Sequence, residues 1–170
     1  MEGVDRKPQV SQYGSVDPAP PQTNGLVSEW TAVLCDESQP MFQRMRAVFS
    51  LRNQRTDEAC LALCQGFSSS SALLRHEIAY VLGQMQNPAA LPTLTQRLED
   101  ANEHVMVRHE AAEALGAIGG VEVEKTLVTF RRDPEAVINE SCMVALDTID
   151  YWNDFKQTDT KSSGPVETAA

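Results

Sequence analysis

Leu73–Gln84 reads LLRHEIAYVLGQ, and Val105–Ala117 reads VMVRHEAAEALGA. Both carry Arg-His-Glu, then an apolar run ending in Leu-Gly, and their histidines, His76 and His109, stand 33 residues apart. At about 100° per residue, Leu74, Ile78, Val81, Leu82 and Met85 gather within roughly 100° of one another on a helical wheel. Val107, Ala111, Ala114, Leu115 and Ile118 make the same stripe in the second stretch. Each stretch is therefore an amphipathic helix, and the duplication points to a repeated unit.

The repeat extends in both directions. Leu51, Leu82, Leu115 and Leu146 close successive apolar runs at separations of 31, 33 and 31 residues. Each unit reads as a shorter helix, a turn and a longer helix. Turn signals fall at 36–40, 68–71, Asn87-Pro88, 100–102, Gly119-Gly120 and Asp133-Pro134. No stretch alternates as a strand would. The expected fold is all-α: an α-solenoid of four helical hairpins, about eight helices. Residues 1–25, with Pro8, Pro18, Pro20, Pro21 and three glycines, read as a disordered N-terminal tail or linker without a core of its own. The repeat domain is expected over 26–156, and 157–170 reads as a flexible C-terminal tail.

Composition narrows the function classes. The 170 residues are 42% hydrophobic, enough for one core, and carry a formal net charge of -10. That charge argues against nucleic acid and suits a cationic partner. No apolar run is long enough to span a membrane, and the N-terminus lacks a signal core, so the cytoplasm is the expected compartment. Cys35, Cys60, Cys64 and Cys142 match no zinc spacing and are expected as reduced thiols.

The wheel that places the apolar stripe inward puts His76 and Glu77, and likewise His109 and Glu110, away from it and in the same direction on neighbouring helices. An isolated pair of this kind is ordinary polar surface. Three features argue for a shared task. The pairs are in register. A glycine follows each histidine by seven residues, Gly83 and Gly116, at a cost of about 1 kcal/mol in helix propensity, as if something needed room there. The outer units carry Met45-Arg46 and Glu140-Ser141 at the aligned positions, with Arg52 and Asp147 in place of the glycines. Two imidazoles plus carboxylate, with no thiolate, is the donor set of non-haem iron oxygenases, and zinc or manganese would also accept it. His76, Glu77, His109 and Glu110 are thus the candidate metal ligands, with one carboxylate free to receive a cationic group. Glu113 and Tyr80, one turn after His109 and His76, are candidate supports for the rings. His104 lies outside the register and reads as surface.

Together with LCDESQPMFQRMRAVFSLRN (34–53), these runs resemble deoxyhypusine hydroxylase, a HEAT-repeat di-iron monooxygenase of two similar halves. The chain resembles the C-terminal half, with SVDPAPP (15–21) similar to the linker and RRDPEAVINESCMVALD (131–147) to the last repeat. The resemblance implies oxygen-dependent hydroxylation of the deoxyhypusine side chain of a translation factor, with Fe(II) as cofactor. It implies His76, His109 and Glu110 as ligands of one iron, and Glu77 at iron or, as favoured here, at the substrate amine as a catalytic residue. The chain's residues match the second half alone, so the resemblance leaves three expectations: a partial product inactive by itself, pairing with a separately encoded first half, or two copies facing each other. The alternative is a HEAT-repeat scaffold that binds a peptide and no metal.

Overall fold

In a computed structural model the described residues are 8–162, with side chains described as far as Phe155; expectations for 1–7 and 163–170 lie outside them. Among the described residues there are eight α-helices: α1 (Val27–Cys35), α2 (Met41–Gln54), α3 (Asp57–Gln65), α4 (Ala72–Met85), α5 (Leu91–Glu99), α6 (Val105–Ile118), α7 (Val121–Phe130) and α8 (Ala136–Ser162). They pair as four hairpins. The even-numbered helices stack side by side, α2 on α4 on α6 on α8, and the odd-numbered helices form a second layer. This is the expected α-solenoid.

The sequence explains most helix boundaries. Thr56, Ser71 and His104 sit at the N-termini of α3, α4 and α6, where their side chains accept from the backbone N–H of Ala59, Leu74 and Met106. His104 is therefore a helix cap. The break between α2 and α3 has no glycine or proline. Arg55 makes it by adopting φ 54°, and Gln86 ends α4 in the same left-handed way at φ 51°. The stripes fall as expected: Leu74, Ile78, Val81 and Leu82 are fully buried, as are Val107, Ala111 and Leu115. Met85 and Ile118 pack at the edge of the core.

The arginine of each Arg-His-Glu run is a strut. Arg108 Nε donates to Leu98 O at the end of α5 (2.9 Å), and its Nη2 reaches Asp133 Oδ2 in the α7–α8 turn at 2.7 Å. Arg44, the aligned residue of α2, donates to Leu34 O (2.9 Å) and to Ser69 of the next hairpin (3.0 Å). Arg75 ties Ser69 O to Glu103 in the α5–α6 turn, with contacts of 2.7 and 2.6 Å. Each strut satisfies orphan carbonyls and locks one hairpin to the next, which fixes the rotation of the helix bearing the adjacent histidine.

Three expectations need correction. Gly83 and Gly116 make room for a neighbouring helix rather than for a ligand. A Cβ on Gly83 would lie 3.1 Å from Ala114 Cα, and one on Gly116 would lie 2.7 Å from Ala145 Cβ and 2.9 Å from its Cα. The glycines thus set the close approach of α4 to α6 and of α6 to α8. Residues 8–25 do not hang free. Asp17 forms a two-pronged ion pair with Arg52 of α2 at 2.7 and 2.9 Å, Gln22 bonds to Ser50 and Trp30, and Ala19 is buried. The composition hid this because the partners are supplied by α2, so the segment needs no core of its own. The helix α8 continues to Ser162, beyond the expected domain end at 156; acidic and polar residues there do not by themselves stop a helix.

Candidate metal centre

Helix α4 presents His76 and Glu77, and α6 presents His109 and Glu110. Because the two helices pack closely at the same phase, the imidazoles meet: ring centroids are 6.3 Å apart at an interplanar angle of 25°. Glu110 reaches both rings. Its Oε2 lies 3.1 Å from His76 Nε2 and 3.6 Å from His109 Nε2. The wheel placed Glu110 toward solvent, yet it is only 8% exposed. It sits in the seam between α4 and α6, covered by the two imidazoles, which a single-helix projection does not represent.

The two His-Glu pairs are not equivalent, and one contact rule explains why. In α6 and α8, the residue at the Glu position touches the histidine of the preceding helix. Glu110 meets His76, and Ser141 of α8, aligned with Glu110, meets His109: Ser141 Oγ is 2.9 Å from His109 Nδ1. Glu77 faces back toward α2, where the aligned residue is Met45. It is half-buried and has no hydrogen-bond or ion-pair partner among the described residues. Burial raises its pKa; Glu110 and Asp17 push the same way, while His76 and Arg52 oppose. The His76 pKa is raised first by its hydrogen bond to Glu110, against the lowering effect of burial.

Of the candidate supports, Glu113 Oε1 lies 3.4 Å from His109 Nδ1. The Tyr80 hydroxyl accepts from Gln84 Nε2 instead of supporting His76, whose Nδ1 is buried without a partner. Ser141 was missed by sequence reasoning, although the alignment that flagged the outer units held the signal.

The geometry suits a metal ion. Donor atoms of His76, His109 and Glu110 all lie within 4.8 Å of one another. An ion with bonds of about 2.0–2.2 Å needs donors about 3 to 4.2 Å apart, so small side-chain adjustments close the set. Two imidazoles and a carboxylate leave open positions for other ligands. Glu77 does not belong to this cluster, and among the described residues no second cluster of three appears.

Comparison with known proteins agrees with this architecture. A family model for HEAT repeats matches residues 28–106 and 60–147. The chain is 51% identical over 152 residues to the deoxyhypusine hydroxylase of Danio rerio, covering 89% of this chain and 48% of that protein. It is 49% identical over 145 residues to that of Homo sapiens, covering 85% of this chain and 48% of that protein. A solved structure of human deoxyhypusine hydroxylase in complex with glycerol matches with a TM-score of 0.82 at 49% identity, over 85% of this chain and 50% of that one. The chain spans about half the length of the curated relatives it matches. It belongs to the HEAT-repeat family, and over that half-length it is similar to the deoxyhypusine hydroxylases.

Proposed function

We propose that the chain supplies one half of a deoxyhypusine hydroxylase centre, with His76, His109 and Glu110 holding one iron ion. The observation that carries this reading is the convergence of two imidazoles and a buried carboxylate from adjacent hairpins, with donor atoms within 4.8 Å. Relatives at about half identity bear the name of that enzyme. Iron and O2 would supply the oxidising power that converts a C–H bond of the deoxyhypusine side chain to C–OH. The chain's own residues do the rest. Glu110, which meets His76 Nε2 at 3.1 Å when no ion is bound, offers a negative charge that partly neutralises a divalent cation. Glu77, half-buried and unpartnered, would take the ammonium of the substrate side chain, whose positive charge would offset the burial that raises this carboxyl's pKa. The net charge of -10 favours the approach of a cationic side chain such as that of the translation factor.

His76 and His109 keep 24% and 29% of their side-chain surface exposed. Oxygen chemistry needs a site closed to water, so a second wall completes it, together with the donors for a second iron. A preceding half of the same protein, a separate first half or a second copy of this chain would provide both. No described helix is long and apolar enough to cross a membrane. Its four cysteines are free, which suits a reducing compartment, so we place the protein in the cytoplasm.

Anaerobic titration with Fe(II) tests the reading. One ion per chain is expected, and His76→Ala combined with His109→Ala should abolish uptake. Uptake no greater than background by the unaltered chain would leave a metal-free peptide-binding scaffold. Light scattering with and without Fe(II) tests self-pairing: an iron-stabilised dimer supports it, and a monomer in both conditions eliminates it.

A further inference from the structure

The two histidines differ in what holds them. Around His76 the distal nitrogen, Nδ1, is buried and unpartnered. Around His109 it is gripped. Ser141 is 6% exposed, and its Oγ lies 2.9 Å from His109 Nδ1 and 2.7 Å from Val137 O, one turn back in α8. A serine hydroxyl has one hydrogen. The Val137 carbonyl can only accept, so the Ser141 hydrogen goes to it, and the Ser141 lone pairs are left facing His109. The second group near this nitrogen, Glu113 Oε1 at 3.4 Å, is an acceptor when ionised. Nε2 also faces an acceptor, Glu110 Oε2, but at 3.6 Å, beyond hydrogen-bond reach. The hydrogen-bonding acceptor is at Nδ1, 2.9 Å away, so the contacts favour the proton on Nδ1 and leave the Nε2 lone pair on the side of Glu110.

We infer that Ser141 is a positioning residue that fixes His109 as the Nδ1–H tautomer and aims its Nε2 lone pair at the metal centre. Glu110, at the equivalent place one helix earlier, meets His76 at Nε2, whereas the Ser141 hydroxyl holds the distal nitrogen of His109 and adds no charge. It also makes α8, which contributes no donor to the cluster, part of the centre. The inference rests on the metal reading for its consequence, but the tautomer itself is a property of the metal-free chain.

The test uses the full chain. Nitrogen-15 spectra of the histidine rings at pH 8, without metal, should show His109 as Nδ1–H. In Ser141→Ala the ring should shift toward the Nε2–H form that imidazole prefers in water, and Fe(II) affinity measured by calorimetry should fall about 10–100-fold. Ser141→Thr, which keeps a hydroxyl able to bond back to Val137 O, should restore both. An Nε2–H ring in the unaltered chain overturns the inference whether or not any variant folds. So does a Ser141→Ala chain with unchanged tautomer and affinity. A chain that binds no iron yet shows the Nδ1–H ring would defeat the metal reading alone.

Discussion

Replacing Gly116 by alanine separates two opposing effects that the structure lets one weigh. Alanine is the better helix former by about 1 kcal/mol, so in an isolated helix the change would stabilise. Here the new Cβ would lie 2.7 Å from Ala145 Cβ, 2.9 Å from its Cα and 3.1 Å from its O. Carbon pairs settle near 3.5–4.0 Å, so α6 and α8 must part by roughly 0.7 Å or more. Backbone atoms oppose the Cβ, so no side chain can simply rotate away. Overpacking of this kind costs about 1–3 kcal/mol. The net expectation is a loss of about 1 kcal/mol, or about 2–4 °C in melting temperature for a chain this size. Gly83→Ala meets Ala114 at 3.1 Å and 3.2 Å, a milder clash that helix propensity roughly offsets, so it should be nearly neutral. Urea unfolding of both variants at constant pH measures the difference. A Gly116→Ala chain as stable as the original, or more so, would refute the claim that this glycine exists to let α8 approach. The same displacement would stretch the 2.9 Å His109–Ser141 contact, so iron affinity should fall in Gly116→Ala more than in Gly83→Ala.

Further expectations concern other parts of the molecule. Arg52→Ala leaves Asp17, 6% exposed, without its ion partner; stability should fall by about 3 kcal/mol, and limited proteolysis should cut before Val27 far sooner. Fe(II) at about 100 times its dissociation constant should add about 2.7 kcal/mol of stability, reversed by chelation and absent in the His76→Ala, His109→Ala chain. Glu37 is held at a pKa of about 2 by its hydrogen bonds to Arg44, Ser69 and Ser70. The folded value lies below the unfolded one, so this contribution is present above about pH 4.5 and disappears as pH falls toward 2. Acid titration of stability should therefore be steeper for the original chain than for Glu37→Gln over that window, and equal slopes would contradict the assignment.

The helices, all their turns but the one at Arg55, and the direction of His76 and His109 were legible because each depends on the phase of one helix. Leu74 through Met85 define a stripe, and a histidine at a known angle from that stripe must point where the wheel says. What one helix cannot encode is what its neighbour brings. Glu110 looked solvent-facing because the wheel has no α4 to cover it. Gly83 and Gly116 looked like space for a ligand because the approach of Ala114 and Ala145 is a fact about pairs of helices. Residues 8–25 looked unanchored because Asp17 finds its partner 35 positions on, in an arginine standing where the inner repeats have glycine. Ser141 was set aside as a departure from the pattern, although its departure is what supplies a hydroxyl at the end of the array.

The rule that each helix reaches back to the one before has an architectural consequence. A solitary Arg-His-Glu helix completes nothing; a full donor set arises only when two follow in succession, and each set uses up both of their histidines. Lengthening the run therefore adds a centre for every second helix, not for every one. Glu140→His with Ser141→Glu would set a new imidazole and carboxylate against His109 and compete with the existing set for that ring.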